Sequence, residues 1–260
     1  MAIAPKIVTV VRDWQMYNRC IANNCNLSGC VLCPIDNTVK NERITTCYNR
    51  FLRELDYSTS GWIVFCHEDW EPKEDLAKRI EKLDKNSLWG PIGAVTRRRF
   101  LVWGQWRLVG QIEECLKNGD ELSLAGNLAG EGEKIDTLDC CCCIVHSSLL
   151  NRLNLRFDEQ LSFDLYIEDF CISANVSNSV ASRILPVKCC HWSKGSVLPR
   201  YYRQEEYVNS KWRALGAGAY TGTISPFLGG RAPWWLRFTL LFKKCRMWIR
   251  TCRACRGENF

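Results

Sequence analysis

Two predicted strands of the chain end in side chains that commonly bind metal ions. The apolar run 61–65 is followed by His67, Glu68 and Asp69, and a later strand, predicted to end at Val187, leads to His191. Residues i and i+2 of an extended segment point to the same side, so His67 and Asp69 converge while Glu68 turns away. Two imidazoles and one carboxylate suit Mn²⁺ or another divalent transition ion. The sequence therefore predicts a metal site, although each histidine alone could equally pack in the core or lie on the surface.

A pair of acids opens a predicted helix. Glu168 and Asp169 follow Tyr166 and Ile167 at its start. The helix dipole favours acids in a first turn, which is a sufficient structural reason for the pair. A carboxylate held at this position could also act as a general base that removes a hydroxyl proton.

A further polar pair, Asp36 and Asn37, follows the second predicted strand. These residue types are common in turns, which would explain them without a ligand. A carboxylate at the end of a strand is also suited to contact a ribose or a nucleotide base.

Strands and helices alternate along the first part of the chain. This order favours an α/β fold with a mainly parallel sheet covered on both faces, in which ligands bind beyond the carboxyl ends of the strands. The glycine-rich stretch 104–133 predicts a loop-rich insertion. The predicted strands are 6–11, 29–35, 61–65, 91–96, 134–145 and 182–187, and the predicted helices are 42–55, 72–83, 147–153, 166–176 and 201–215.

An ordered set of short motifs runs through residues 5–215. The motifs are Tyr48-Asn49, Phe65-Cys66-His67-Glu68-Asp69, Ile92-Gly93-Ala94-Val95, Asp139 before an apolar run, Phe157-Asp158, the segment Phe163 to Asp169, and His191 before Ser193-Lys194-Gly195. In order and spacing the set resembles the nucleotide-sugar glycosyltransferases of the GT-A fold, family-two type. It is most similar to the bacterial glycosyltransferase-like subgroup that is related to streptomycin-biosynthesis glycosyltransferases.

The resemblance implies a metal-dependent transfer of a sugar from a nucleotide-sugar donor to an acceptor hydroxyl, on a glycan or a lipid-linked acceptor, with inversion. It implies Mn²⁺ or Mg²⁺ at His67, Asp69 and His191, although many relatives have aspartate at the first position. It implies Asp169 as the base, with Glu168 as the first substitute. The nucleotide contacts that it implies are Asp36, Asn37, Tyr48, Asn49 and Asp139.

The chain divides by charge into a catalytic domain, residues 1–225, and a basic tail, residues 226–260. Eight Lys or Arg and no acid lie between Arg231 and Arg256, in a chain whose net charge is +7. The segment 234–250 has an uncharged aromatic face at helical spacing, which is typical of a helix that lies on an anionic membrane. Docking on the domain or on the second subunit of a homodimer is the alternative, and nucleic-acid binding is a weaker one.

The cellular location of the protein can be predicted from its seventeen cysteines and its N-terminal sequence. The chain opens without a basic stretch and apolar core, and it has no apolar run of roughly 20 residues. We therefore expect a cytoplasmic protein, peripheral on the inner face of the membrane, whose cysteines are reduced and mostly buried. Structural zinc at Cys30-x-x-Cys33 or Cys252-x-x-Cys255 is an alternative. The alternative to enzymatic activity is a binding module of the same fold.

Overall fold

A computed structural model describes residues 3–99, 103–115, 122–192 and 198–230 of the chain, without the side chains of 97–99, 103–105 and 115. The strands are β1 Lys6–Val11, β2 Val31–Asp36, β3 Trp62–Cys66, β4 Trp70–Pro72, β5 Ser87–Gly90, β6 Ile92–Arg99, β7 Trp103–Cys115, β8 Leu122–Asn127, β9 Lys134–Ile135, β10 Thr137–Leu138, β11 Cys142–His146, β12 Ala181–Ile184, β13 Cys189–His191, β14 Ala219–Tyr220 and β15 Leu228–Gly229. The α-helices are α1 Trp14–Tyr17, α2 Ile44–Glu54, α3 Leu76–Ile80, α4 Ser147–Leu153, α5 Tyr166–Asn178 and α6 Pro199–Ala214, with a π-helical turn Asn18–Ala22 and a 3₁₀ turn Cys25–Leu27.

The first sheet has seven strands in the order β2-β1-β3-β11-β5-β12-β9. Strand β1 is parallel to both β2 and β3, and β12 is parallel to β5, whereas β11 runs antiparallel to its two neighbours. The predicted α/β class is therefore confirmed as a mixed sheet flanked by helices. The carboxyl ends of β1, β2 and β3 meet at one edge, where polar side chains from different strands can share a ligand.

Apolar residues alternate between the two faces of this sheet. Val8 and Val10 of β1 pack in the cluster under α2, α4, α5 and α6, while Ile7 and Val11 face the cluster under α1 and α3. A strand that is buried on both faces has a continuous run of apolar residues. Such strands could therefore be predicted from sequence. Cys142 and Cys143 of β11 are buried, one toward each face, as the sequence predicted.

The prediction of a loop-rich insertion over 104–133 is wrong. Strand β7 pairs with β6 from Trp103 to Gly110 and then with β8, so most of this segment belongs to a long hairpin of the second sheet. That sheet has the order β10-β6-β7-β13-β4. Gly110 and Gly126 both have φ of +87°, and an added Cβ at either would lie 2.1 Å from a carbonyl oxygen. The glycines permit a close crossing of strands rather than a loop.

The single strand predicted over 134–145 is also wrong. The chain leaves the first sheet after β9, adds β10 to the second sheet and returns as β11. The Asp139 carboxylate accepts the backbone N–H of Cys141 at 2.9 Å, which closes the turn between β10 and β11. Asp139 and Cys140 are thereby set beside the N-terminus of α5.

The predicted tail lies largely outside the described residues. Its first residues, 226–230, are described, and Gly229 of β15 donates its N–H to Asn209 of α6 at 2.8 Å. The basic segment 231–260, and with it the predicted membrane-binding face, is outside the described ranges. Within those ranges no helix is long and apolar enough to cross a membrane.

Candidate active site

The turn that follows β3 brings two predicted metal ligands together. Trp70 donates its N–H to the His67 carbonyl at 3.2 Å, so the chain reverses over residues 67–70 instead of continuing as a strand. The His67 N–H is bonded to the Cys141 carbonyl at 3.0 Å, which fixes the start of the turn. His67 and Asp69 converge as predicted, but a turn rather than an extended segment is responsible.

The third ligand comes from the pairing of β13 with β4. His191 lies opposite Trp70 in this antiparallel pair, and the Trp192 N–H bonds to the Asp69 carbonyl at 2.9 Å. As a result, Nε2 of His191 is 3.3 Å from Oδ1 of Asp69. The indole of Trp192 is bonded to Glu71 at 2.6 Å and lies under the guanidinium of Arg19, which anchors this end of β13.

These three side chains fit a divalent cation. Ligand atoms of His67, Asp69 and His191 all lie within 4.8 Å of one another. Nε2 of His67 is buried and has no hydrogen-bond partner among the described residues, as expected of an atom that takes a ligand. Burial also lowers the pKa of His67, which favours the neutral imidazole that binds a metal. Two imidazoles with one carboxylate favour Mn²⁺ and similar ions over Mg²⁺.

A small cavity, the β1 cavity, opens at the carboxyl ends of β1 and β2 beside these ligands. It has a volume of about 200 Å³. Three guanidinium groups line it, those of Arg12, Arg43 and Arg200. Of its acids, Glu42 is paired with Arg50 at 2.8 Å, and Glu68 accepts the backbone N–H groups of Arg12 and Asp13 at 2.6 and 3.0 Å. The cavity therefore places three arginines among the carboxylates of Glu42, Glu68 and Asp69, and an anionic ligand there would contact the arginines.

A second cavity, the α5 cavity, lies on the other side of the ligands. Its volume is about 410 Å³. Part of its wall is apolar, and another part carries Asp139, Cys140 and Glu168. The apolar wall is formed by Ile92, Leu108, Ile112, Ala125 and Ile224. This combination suits a ligand with both hydroxyl groups and an apolar face.

The two cavities share one wall. His67, Phe163 and Arg200 line both of them. The ring of Phe163 stacks on His67 with centroids 5.1 Å apart, and Arg200 lies 5.2 Å from the Phe163 centroid while paired with Asp164 at 2.6 Å. Two ligands, one in each cavity, would therefore meet at the metal ligands.

Glu168 faces the α5 cavity and is buried. Cys140 donates to its Oε2 at 2.9 Å, and Thr223 donates to its Oε1 at 3.3 Å. Burial, together with the nearby charge of Asp139, raises the pKa of Glu168 to about 7. A carboxyl group with such a pKa accepts a proton efficiently at neutral pH.

Asp169, the first candidate base, faces α6 instead of the α5 cavity. Lys211 donates to both of its oxygens at 2.9 and 2.8 Å, and Trp212 donates to Oδ1 at 2.7 Å. Lys211 is also bonded to Asp158 at 2.6 Å. Asp169 lines neither cavity, so the structure places it in a buried ion-pair network that joins α5 to α6.

Replacing Asp169 with asparagine should therefore affect stability more than chemistry. The amide would turn an NH₂ group toward the Lys211 ammonium, so we expect a loss of about 2 kcal/mol in the free energy of unfolding. Turnover of the folded protein should stay within about threefold of the wild type, because no reacting group is removed. Chemical denaturation and initial rates on the same preparation check both parts. A large loss of turnover with unchanged stability would contradict this placement.

Asp36 and Asn37 occupy different positions around the β1 cavity. Asp36 is exposed, and its Oδ1 accepts two bonds from Thr38, at 3.0 and 2.7 Å, as in an ordinary turn. Asn37 is buried and lines the cavity, but its amide bonds to the backbone of Glu42 at 2.9 and 2.8 Å. The structure thus brings Asn37, and not Asp36, to a cavity wall.

Tyr48 and Asn49 lie in the core, away from both cavities. The Tyr48 hydroxyl donates to the Cys66 carbonyl at 3.2 Å, and the Asn49 amide bonds to the backbone of Phe157 at 2.8 and 3.0 Å. Tyr48 thus supports the end of β3, Asn49 holds the backbone of Phe157, and neither residue lines the β1 cavity or the α5 cavity. Asp139, in contrast, lines the α5 cavity.

Four cavity residues carried no usable signal in the sequence. Phe163 was part of a motif but had no assigned role, and Cys140 was one of four consecutive cysteines. Arg200 and Thr223 come from the start of α6 and from the segment after it. Their contribution depends on how α6 packs, which local sequence does not encode.

No protein family and no curated protein sequence matches this chain. Solved structures with a similar course of the chain include glycosyltransferases. A structure of GalNAc-T7 with UDP, GalNAc and Mn²⁺ is 8% identical, with a TM-score of 0.48, over 81% of this chain and 50% of that one. S. aureus TarS 1-349 in complex with UDP is 14% identical, with a TM-score of 0.46, over 83% of this chain and 66% of that one.

The chain thus spans between half and two thirds of these two proteins. Likeness at this level concerns the overall course of the chain. The roles of individual residues rest on the geometry of the two cavities and of the three side chains between them.

Proposed function

We propose that the protein is a metal-dependent glycosyltransferase of the family-two type that uses a nucleotide-sugar donor. The observation that carries the proposal is the cluster of His67, Asp69 and His191 on the border of two cavities. One cavity is lined by guanidinium groups, and the other contains a buried carboxyl group with a pKa of about 7. The ordered motifs of the sequence point to the same reaction.

In this proposal the β1 cavity holds the nucleotide diphosphate of the donor. Arg12, Arg43 and Arg200 supply positive charge for the diphosphate, and Phe163 and Arg200 lie where the two cavities meet, at the diphosphate end next to the donor sugar. A divalent cation bound by His67, Asp69 and His191 would offset the negative charge that develops on the leaving diphosphate. Because these ligands border both cavities, the sugar of the donor would lie next to the α5 cavity.

The acceptor hydroxyl lies in the α5 cavity, and Glu168 takes its proton. As the new bond forms between the acceptor oxygen and the anomeric carbon, the bond from that carbon to the diphosphate oxygen breaks. The proton goes to Glu168 and the nucleoside diphosphate leaves into the β1 cavity. Attack from the α5 cavity, opposite the leaving group, gives inversion in a single displacement. The base is thus assigned to Glu168, on the side of α5 that Asp169 does not face.

A panel of nucleotide sugars tests the proposal. Thermal unfolding is followed with UDP-, GDP-, ADP- and dTDP-sugars, each in Mn²⁺ and in EDTA. A ligand at about 100 times its Kd stabilises the folded state by about 2.7 kcal/mol, so one nucleotide class should raise the melting temperature, and only with the metal. Release of nucleoside diphosphate on addition of an acceptor then separates an enzyme from a binding module. The absence of any nucleotide-dependent shift with Mn²⁺ would contradict the proposal.

Attachment of the basic segment to an anionic membrane is a separate proposal that rests on sequence alone. The eight cations and the aromatic face of residues 231–256 support it. A lipid-linked acceptor would then be available at the same membrane surface.

A further inference from the structure

The buried carboxylate of Glu168 is held by two side chains from distant parts of the chain. Cys140, from the turn before β11, donates its S–H to Oε2 at 2.9 Å. Thr223, from the segment after α6, donates its hydroxyl to Oε1 at 3.3 Å. Each carboxylate oxygen therefore accepts a hydrogen bond from a side chain, and Glu168 is only 3% exposed. The two hydrogen bonds and the burial therefore restrict the orientation of the Glu168 side chain.

Cys140 is itself fixed by backbone hydrogen bonds. The Tyr166 hydroxyl, one turn before Asp169 on α5, donates to the Cys140 carbonyl at 2.9 Å. The next residue, Cys141, donates its N–H to Asp139 at 2.9 Å and accepts the His67 N–H at 3.0 Å. The position of the thiol is therefore determined by the same turn that supports the metal ligands.

We propose that Cys140 is a positioning residue for Glu168: its thiol aims the carboxylate into the α5 cavity and, as a hydrogen-bond donor, favours the ionised form that accepts the acceptor proton. The inference rests on the proposed function, in which Glu168 is the base. It gives one of the consecutive cysteines a role that burial in a strand does not explain.

The protonation state of the thiol agrees with this role. Burial and the nearby Glu168 and Asp139 raise the pKa of Cys140 well above its ordinary value. The sulfur therefore keeps its proton at neutral pH and remains a donor. A protonated thiol is also a poor nucleophile, so a reactive role for Cys140 is disfavoured.

The pKa of Glu168 reflects opposing influences from the groups around it. Burial and Asp139 raise it, whereas the hydrogen bonds from Cys140 and Thr223 lower it. Cys171 on the same helix and Tyr201 on α6 also interact with Glu168, and the same cavity is lined by Glu114, Asp164, His191 and Arg200. Removing the Cys140 donor should therefore shift the titration of Glu168 to higher pH, because a hydrogen bond to the charged form favours that form.

The experiment measures the titration of Glu168 directly, by NMR of protein labelled with ¹³C-glutamate. The Glu168 resonance is assigned as the signal that is missing in the spectrum of the Glu168→Gln variant. In Cys140→Ala we expect an upward shift of about one pH unit. Cys140→Ser keeps a donor and should restore the wild-type titration to within about 0.3 unit, since a hydroxyl can make the same bond. Thr223→Val, which removes the longer bond, should shift it upward by less. Cys25→Ser, at an exposed site, is the matched control and should leave it unchanged.

Two outcomes overturn the inference: an unshifted titration in Cys140→Ala, or equal titrations in Cys140→Ala and Cys140→Ser, which would indicate packing and not donation. Neither depends on turnover, so they remain decisive if the protein proves to transfer no sugar. Where turnover is measurable, the rising limb of kcat/KM against pH should move by the same amount as the Glu168 titration. Identical limbs in wild type and Cys140→Ala, despite a shifted titration, would reject Glu168 as the base.

Discussion

The variant Asp69→Ala should lose high-affinity binding of Mn²⁺. Asp69 supplies the only carboxylate of the three-residue cluster, and the two remaining imidazoles would leave the ion with less charge compensation and fewer ligands. We expect the affinity for Mn²⁺ to fall on the order of 100-fold or more. Electron paramagnetic resonance of free Mn²⁺ during a titration measures it without any assay of activity. Nucleotide-sugar binding should weaken in parallel, because the diphosphate loses its positively charged partner.

Glu68→Gln is the matched control for this variant. It removes one negative charge from the same turn, but the Glu68 carboxylate bonds to the backbone of Arg12 and Asp13 and lies outside the ligand cluster. Its affinity for Mn²⁺ should remain within about threefold of the wild type, as expected for the loss of a nearby screened charge. Equal affinities in Asp69→Ala, Glu68→Gln and wild type would show that the cluster does not hold the ion. Equal losses of Mn²⁺ affinity in the two variants would indicate that Asp69 attracts the ion through its charge and does not coordinate it.

Two members of the candidate metal cluster, His67 and Asp69, could be predicted from sequence because they follow a strand. A strand that is buried on both faces is recognisable as an apolar run, and the polar residues after it must lie at the edge of the sheet. This reasoning located His67 and Asp69. His191 is instead the last residue of β13 in the second sheet, whereas the predicted strand 182–187 corresponds to β12 in the first sheet. The pairing of β13 with β4 was not predictable, since β4 has only three residues and carries no strand pattern.

Which of the two acids faces the α5 cavity could not be decided from sequence. Glu168 and Asp169 are neighbours on α5, and successive residues of a helix differ by about 100° in direction. The side that faces the cavity depends on α6, whose Lys211 and Trp212 bind Asp169 from more than 40 positions away in the chain. The helix also starts after Leu165, a non-glycine residue with φ of 61°, and no sequence signal for that conformation is present.

The hairpin of β7 and β8 was not predicted from sequence, for a different reason. Glycines in this segment suggested a loop, because glycine usually interrupts strands. Gly110 and Gly126 instead lie where strands cross too closely for a side chain. Ile112 and Ala125, which line the α5 cavity, come from this hairpin. Because this segment was predicted to be a loop, its contribution to the α5 cavity was not predicted.

The second large effect is expected in Glu168→Gln. The amide keeps the size of the side chain but cannot accept a proton, so kcat should fall by about 10²-fold or more. The affinities for Mn²⁺ and for the donor should change little. Glu168 does not line the β1 cavity and does not belong to the cluster of His67, Asp69 and His191. Single-turnover measurements at saturating donor separate the chemical step from binding.

The dependence of the rate on pH gives the same variant a second readout. With a pKa of about 7 in the free protein, Glu168 is protonated and inactive below that pH and ionised above it. In the wild type, kcat/KM should therefore rise with pH and level off above about pH 8. In Glu168→Gln the residual rate should lose this rising limb. Retention of the limb, together with a large loss of turnover in Asp169→Asn, would return the role of base to Asp169 and require α5 to turn when substrates bind.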